Sequence, residues 1–580
     1  MAVAYPLALG LSLLPFFLHP AHAITNNPNS ADSSCRCFPT DPCWPSPSEW
    51  SAFNSSLGGK LIATVPLGSV CHRDGPFAAY DASACSQLQD VWPLPSVHYS
   101  TPSSPMAAWF ANFSCDPFLG PDSTCTVGSL VQYAVNVTDP EDVRQTLQFT
   151  RTHNIRLVIR NTGHDYLGKS TGAGAVALWM HHLKHTAYRP QYASPTYTGP
   201  ALQLGAGVQG FEAMKAAHAQ GKVLVTGNCP SVGVVGGYAQ GGGHGQLASK
   251  FGLAADQVLE WEVMTAAGDV VTASPTLNSD LYWALSGGGG GTYAVVLSAT
   301  VKVYPDLRTS TARLAFSGKR GSSQHFWEVV HTFMISLLPL LDAGAAAIWL
   351  ISDSTFSLAP VTLPGGSLSQ LQAGLAPTLQ LLQRYNLSYS YEIDEFPTFY
   401  QSYETMNPAS NITEYQIGGR LISRSDLAAS SRSILSALQA IVHTGAAISG
   451  VSVNVSRTPP PRNAVNPIWR DAAISFTLGV PYSYTNRTLD LENQALVTNE
   501  LVPRLAALSP GGGAYLNEGD FNQPDWQWVF YGRNYERLTA VKDKYDPEHV
   551  FYGRTAVGSE RWIEQQDGHL CPVASSVHTV

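Results

Sequence analysis

Charge is scarce in this sequence: only 13% of its 580 residues are Asp, Glu, Lys or Arg, and no long block of one sign occurs. With a formal net charge of −9 it lacks the basic stripe that nucleic acid or an anionic membrane surface would require. Internal repeats and low-complexity linkers are missing as well. Beyond the N-terminus, no apolar run approaches the ~20 residues that span a bilayer. A chain this long is expected to divide into two or more domains.

What is present first is an export signature. Residues 1–23, MAVAYPLALGLSLLPFFLHPAHA, carry no charged side chain, are interrupted by Pro6 and Pro15, and end in Ala21-His22-Ala23. That is the pattern of a cleaved secretory signal rather than an anchor. Of nine cysteines, seven precede residue 126 and one is Cys571, as expected of disulfides pinning peripheral segments in an extracellular or secretory-lumen protein. Cys115 and Cys125 bracket DPFLGPDST and predict a local bridge. If the other eight pair, Cys229 is the odd one out. Sequons at Asn54, Asn112, Asn136, Asn386, Asn411, Asn454 and Asn486 add the expectation of N-glycans.

Residues 24–125 are rich in Ser, Pro and Cys and read as a disulfide-tied N-terminal extension. From 126 the pattern changes. VQYAVNV predicts a buried strand, Thr138-x-x-Glu141 a capping box opening the helix DVRQTLQFTRTHN, and IRLVIRN a second strand. ALQLGAGV then precedes the helix-like GFEAMKAAHAQ. QVLEWEVMTAAGDVVTAS predicts two strands about a Gly-Asp turn, and TYAVVLSATVKVYP closes the region near 305. Residues 309–513 mix strands with helices and suggest a second domain. NYERLTAVKDKYDP is an amphipathic helix with an Asp-Pro stop.

Several motifs carry competing chemistry. Gly163 through Gly168-Lys169-Ser170 satisfies the triphosphate-loop pattern G-x-x-x-x-G-K-S/T. Such a loop must open a helix, whereas TGAGAVALWM follows here and predicts turn then strand. Lys169 is then expected to be a solvated surface lysine. Gly205-x-Gly207-x-x-Gly210 lacks the acidic residue of a dinucleotide fingerprint and predicts only a tight strand-to-helix turn. MHHLKH, with His181 and His185 four apart, is expected to be a solvated loop rather than a metal clamp. The opposite weighting applies to Cys229, in GNCPSVGVVGGYAQGGGHGQLASKFGLAADQV. So many glycines predict backbone pressed against a large planar or phosphorylated ligand, with the lone thiol as a point of covalent attachment. SGGGGGTYAVV, from Ser286, adds another glycine-rich wall.

Taken together, RNTGHDYLGKSTG, the Cys229 segment, GAYLNEGD and FYGRNYERLTAVKDKYDPEHVF resemble the successive motifs of the berberine-bridge-enzyme-like flavoproteins of the vanillyl-alcohol-oxidase/PCMH superfamily. The likeness covers roughly residues 126–308 and 514–555. CRCFPTDPCWPS and DGHLCP are similar to the ends of secreted fungal members. The resemblance implies an α+β fold: a PCMH-type FAD-binding domain of two α+β subdomains (126–308), a substrate domain with an antiparallel sheet and flanking helices (309–513), and a C-terminal segment (514–580) returning to the first. It implies FAD attached twice, through His164 to the isoalloxazine C8-methyl group and through Cys229 to C6. Arg160, Asn161, Gly163, Asp165 and the loop through Gly168 would hold the cofactor. Gly233, Gly236, Gly237, Gly242 and Val296 would line it, and Tyr515, Asn517 and Asn534 would lie by the flavin ring. Val232 would leave oxygen access.

One departure matters. Relatives often carry Tyr-x-Asn-Tyr-x-Asp, with the second Tyr as base, where this chain has Tyr515-Leu516-Asn517-Glu518-Gly519-Asp520. The base is then Glu518 or a residue of the second domain. A Glu buried beside a flavin is expected to have a raised pKa and to take a proton near neutrality. The implied activity is a secreted FAD-dependent oxidase that moves a hydride from an alcohol or secondary metabolite to the flavin and reduces molecular oxygen to hydrogen peroxide. The alternatives are a redox-neutral cyclase on the same scaffold or an oligosaccharide oxidase. No interpretable motif in 309–513 names the substrate.

Overall fold

The computed structural model describes residues 35–318, 323–412, 414–456 and 463–573; the expected signal sequence lies outside them. Strand β1 (Leu61–Ala63) pairs antiparallel with β2 (Tyr133–Asn136). After β2 comes helix α1 (Pro140–Thr152), then β3 (Leu157–Arg160) and β4 (Val176–Trp179), giving a sheet ordered β1-β2-β4-β3 with β2, β4 and β3 parallel. The α1 cap differs from the expectation by one residue. Asp139 is the N-cap, and the Asp142 carboxylate reaches back to its N–H at 3.2 Å. A carboxylate is the stronger acceptor there, and Lys60, 2.8 Å from Asp142, holds it in place. After Ser170 the chain turns into β4 rather than a helix, which removes the triphosphate-loop reading.

The second sheet holds β5 (Thr186–Ser194), β6 (Tyr197–Gly205), β7 (Val258–Met264), β8 (Val270–Ala273) and β9 (Val295–Lys302), ordered β5-β6-β9-β7-β8 and antiparallel. Helix α2 (Gly210–His218) follows β6 as the turn glycines predict. A Cβ at Gly205 or Gly207 would strike the carbonyls of Leu183 or His181, so these glycines admit a neighbouring backbone. That contact corrects the reading of MHHLKH as a solvated loop. His181 is buried between Tyr99 and Trp179, and burial lowers its pKa to about 4.

The third sheet is antiparallel throughout: β10 (Thr309–Ser317), β11 (Ala346–Ile351), β12 (Thr355–Pro364), β13 (Tyr389–Phe396), β14 (Tyr415–Ser423), β15 (Ala447–Ser452) and β16 (Ala472–Pro481), ordered β13-β10-β12-β11-β15-β16-β14. The expected α+β architecture with an antiparallel sheet and flanking helices is observed. Strand periodicity sorts its two faces. Ala347, Trp349, Ile351, Ile474, Phe476 and Leu478 share a core with helices α3 (Ser323–Ser336), α4 (Leu368–Arg384) and α5 (Arg424–Val442). Ala346, Ile348 and Val451, on the other face, pack with Tyr515, Trp469 and the 248–255 segment.

Helix α6 (Tyr535–Tyr545) carries the chain back to the first two sheets. Four disulfides, Cys35–Cys571, Cys37–Cys43, Cys71–Cys85 and the expected Cys115–Cys125, leave Cys229 free. Asn454 is buried and donates to Asp342 at 2.7 Å, so this sequon is closed to a glycan in the folded chain. No helix among the described residues is long and apolar enough to cross a membrane.

Lys542 of α6 is almost wholly buried. Its Nζ lies 2.5 Å from the Asp546 carboxylate and donates to the carbonyls of Thr292 at 2.8 Å and Phe551 at 2.7 Å. It thereby fastens the C-terminal segment to the end of the 286–296 glycine-rich wall. Lys542→Met should leave Asp546 as an uncompensated buried charge and destabilise the fold by about 3–5 kcal/mol, measured as a lower denaturation midpoint.

Candidate functional site

A cavity of about 380 Å³ lies between the loop after β3, the glycine-rich segments, the 515–518 loop and the third sheet. Of the expected residues, Asn161, Gly163, His164, Asp165, Cys229, Val232, Gly233, Gly236, Gly237, Tyr515, Asn517 and Glu518 line it. The sheet contributes Ile348, Ile417, Ser449, Val451 and Thr477.

Asn161, at the end of β3, organises one side. Its Nδ2 donates to the carbonyl of Ala206 at 2.7 Å, and its side chain occupies the notch between Gly233 and Gly236. A Cβ at either glycine would come within 2.1 Å of that nitrogen. With the strands' loops clamped together, His164 Nε2 lies 2.8 Å from Ser231 Oγ and 3.8 Å from Cys229 Sγ. Burial alone would push the Cys229 thiol up. The hydrogen bond and charge of His164, with the hydrogen bonds to Ser231, outweigh it and bring the pKa down to about 6. A thiol so placed is a ready nucleophile.

The opposite side is a polar cluster. Glu518 Oε1 accepts from His244 Nε2 at 3.2 Å and Oε2 accepts from Thr477 Oγ1 at 3.1 Å. The expectation of a raised Glu518 pKa is therefore corrected. Burial pushes it up, but the charge and hydrogen bond of His244 and the bond from Thr477 hold it below the usual carboxylate range. Tyr515, by contrast, is raised well above the usual phenol value by burial and by the Glu518 charge, so it stays protonated. Asn517 Nδ2 donates to the Tyr515 hydroxyl at 2.8 Å, leaving the phenol's own proton to donate to a ligand. Asp520 ties this loop down, accepting from Gln494 at 2.8 Å and Thr498 at 2.6 Å.

Five expected cofactor residues do not line the cavity. Arg160 is fully buried and donates to the carbonyls of His98, Thr101 and Ser104, bracing the N-terminal extension. Gly168 admits the Phe110 ring, Gly242 borders Val465 and Tyr515, and Val296 is buried on β9. Asn534 donates to the carbonyls of Ala464 and Val465, both at 3.1 Å. Nor is Lys169 a solvated lysine. It lines the cavity beside Asp165, its stem packs on Gly553, and burial lowers its pKa. The Asp165 carboxylate accepts the Lys169 backbone N–H, closing the loop as a turn.

Most of the glycines also prove to serve protein contacts. Gly241 admits the Asn517 amide, Gly243 the Tyr238 ring and Gly245 the Thr226 carbonyl. Only Gly237 and Gly291, among those at the cavity, have open space where a Cβ would stand. Those two openings, the buried and unpartnered Oδ1 of Asn161 and the Cys229–His164 pair suit a large planar cofactor with covalent links. Sequence reasoning missed His244, Ser231 and Thr477. A single ionisable residue inside GGGHG was an available signal for His244, whereas Thr477 reaches the site only through strand register.

In flavin-free chain, alkylation of Cys229 by iodoacetamide should rise as pH increases through about 6. In His164→Ala, burial acts with less opposition and the midpoint should move upward; mass spectrometry of the Cys229 peptide measures both.

Comparison with known proteins agrees with this site. The family described as FAD binding domain matches residues 131–274, and that described as berberine and berberine like matches 514–558. An FAD-linked oxidoreductase of Hypocrea jecorina, sor8, is 49% identical over 97% of this chain and 98% of its own length. The bifunctional decalin synthase calF of Penicillium decumbens is 39% identical over 98% of this chain and 99% of its own. The crystal structure of the VAO-type flavoprotein MtVAO615 from Myceliophthora thermophila superposes with a TM-score of 0.89 at 40% identity, over 93% of this chain and all of that one. The chain belongs to the FAD-linked oxidoreductases of the vanillyl-alcohol-oxidase/PCMH family, with a berberine-like C-terminal region.

Proposed function

We propose that this FAD-linked oxidoreductase is a secreted oxidase of a neutral, largely apolar hydroxylated small molecule, an alcohol or secondary metabolite. The observation that carries the reading is the sheet-side wall: Ile348, Ile417, Val451, Ser449 and Thr477, with no charged side chain among them. An oligosaccharide laid on that wall would leave hydroxyls unpaired against aliphatic carbon, a cost of about 1–3 kcal/mol for each. An apolar carbon skeleton with one reacting hydroxyl suits it better.

FAD, when bound, supplies the acceptor for a hydride from the substrate carbon and passes the electrons to molecular oxygen, giving hydrogen peroxide. His164 and Cys229 would hold it by two covalent links, with Asn161, Gly163, Asp165, Gly233, Gly236 and Gly237 shaping its berth and Val232 leaving room for oxygen. Residues 126–308 with the C-terminal segment would serve the cofactor, and 309–513 the substrate. Glu518 would take the proton of the substrate hydroxyl, and the neutral Tyr515 phenol, fixed by Asn517, would donate a hydrogen bond to the substrate oxygen. The four disulfides support secretion, with N-glycans on the exposed sequons.

The decalin synthase among the relatives favours a second reading, a redox-neutral cyclisation in which the same apolar wall folds the substrate. Anaerobic mixing separates the two. An oxidase substrate should bleach the flavin absorption and, in air, yield one hydrogen peroxide per turnover; product formed without bleaching would support the cyclase.

Attachment is tested by peptide mass spectrometry after acid denaturation. Flavin mass should appear on the peptides carrying His164 and Cys229. His164→Ala and Cys229→Ala should each retain flavin through the other link, and the double variant should release it. Flavin absent from both wild-type peptides would end the bicovalent reading.

A further inference from the structure

We infer that His244 is a positioning residue for Glu518: with Thr477 it clamps both carboxylate oxygens and holds the group facing the cavity as a proton acceptor. The inference rests on the proposed role of Glu518 and adds a residue to it.

The clamp is assembled from separate parts of the chain. The loop carrying Glu518 is tied down by Asp520 and packed under β14, where the Cβ missing from Gly419 would come within 2.8 Å of the Glu518 carbonyl. Directly across from Gly419 on β16 stands Thr477, the donor to Oε2. The glycine therefore lets the loop sit on the sheet beside the threonine that binds it.

His244 comes from the other side of the cavity. Gly242 and Gly243 have φ of +115° and +75°, a path closed to most residues, and they turn the chain immediately before the histidine. Tyr238 Oη donates to the His244 carbonyl at 2.8 Å, fixing the backbone. The ring lies edge-on to Tyr515 at 4.9 Å and tilted on Trp469 at 5.9 Å, so it has little freedom to swing away from Glu518. Both His244 and Glu518 line the cavity.

Among the described residues, the groups facing Glu518 are few. His244 and Thr477 favour its charged form, while the nearby phenols of Tyr515 and Tyr238 are themselves pushed up by burial and by that charge. Without His244, burial of the carboxylate is opposed only by Thr477, and the proton returns to it at higher pH. A carboxyl that is already protonated takes no proton from substrate, so the loss falls on the acid side of the rate profile.

The test uses the flavin-loaded enzyme in four forms: wild type, Glu518→Gln, His244→Leu and His244→Gln, with Thr477→Val as an independent change should the His244 variants fold poorly. The pH dependence of kcat/KM is one measurement. The protonated-carboxyl infrared band, assigned by its loss in Glu518→Gln, is the other and needs no turnover. In His244→Leu the acid limb and the infrared midpoint should move up together by about 1–3 pH units. His244→Gln, which keeps a donor, should recover part of the shift, and Thr477→Val should shift in the same direction. Unmoved midpoints in His244→Leu and Thr477→Val would overturn the clamp while leaving Glu518 as base. A Glu518→Gln enzyme with an unchanged rate and acid limb would instead overturn the reading of Glu518 on which the clamp depends.

Discussion

One side-chain amide sets the geometry from which the rest of the site follows. Asn161 bonds the Ala206 carbonyl and fills the notch made by Gly233 and Gly236, so three chain segments from two sheets meet on a single planar group. The strand β3 that leads to it is short and mostly buried, and three residues past its end Gly163, with φ of +85°, turns the chain before His164, which lies beside Ser231 and Cys229.

Against that rigid side the third sheet supplies a surface of a different kind. Alternation assigns its bulky residues, Trp349 and Phe476 among them, to the helix-covered core. Smaller side chains, Ile348, Ile417, Ser449, Val451 and Thr477, are left for the cavity. Ile348 pairs across β15 with Val451, and Ser449 pairs across β16 with Thr477, so the cavity wall is a patch two residues deep on adjacent strands. Aliphatic side chains form most of this wall, with hydroxyls from Ser449 and Thr477, the latter donating to the Glu518 carboxylate.

Local signals made the flavin-binding half legible. Capped helices, β-branched strands and glycine clusters each report on their own few residues, and α1, α2, α6 and the strands between them stand close to where those signals place them. The lone Cys229 and the departure at Glu518 identified two corners of the cavity. Illegible were the quantities set by distant partners. The direction of the Glu518 shift depends on His244, 274 positions earlier. Lys169 is enclosed by Gly553 and Asp165, and the glycines of 227–245 mostly admit Asn161, Asn517 and Tyr238 rather than a ligand. Glycine density reports that something is close; it does not say what.

The return of residues 514–573 to the first two sheets has a consequence for the order of assembly. Domains fold as they leave the ribosome, earliest segments first. A nascent chain that has reached residue 513 owns both glycine-rich walls and the entire third sheet, yet it has neither the 515–518 loop nor the Lys542 fastening nor the Cys571 partner of Cys35. The space for the cofactor is therefore open on one side until synthesis is complete. The segment made last thus supplies the closing wall of the cavity, and with it Tyr515, Asn517 and Glu518.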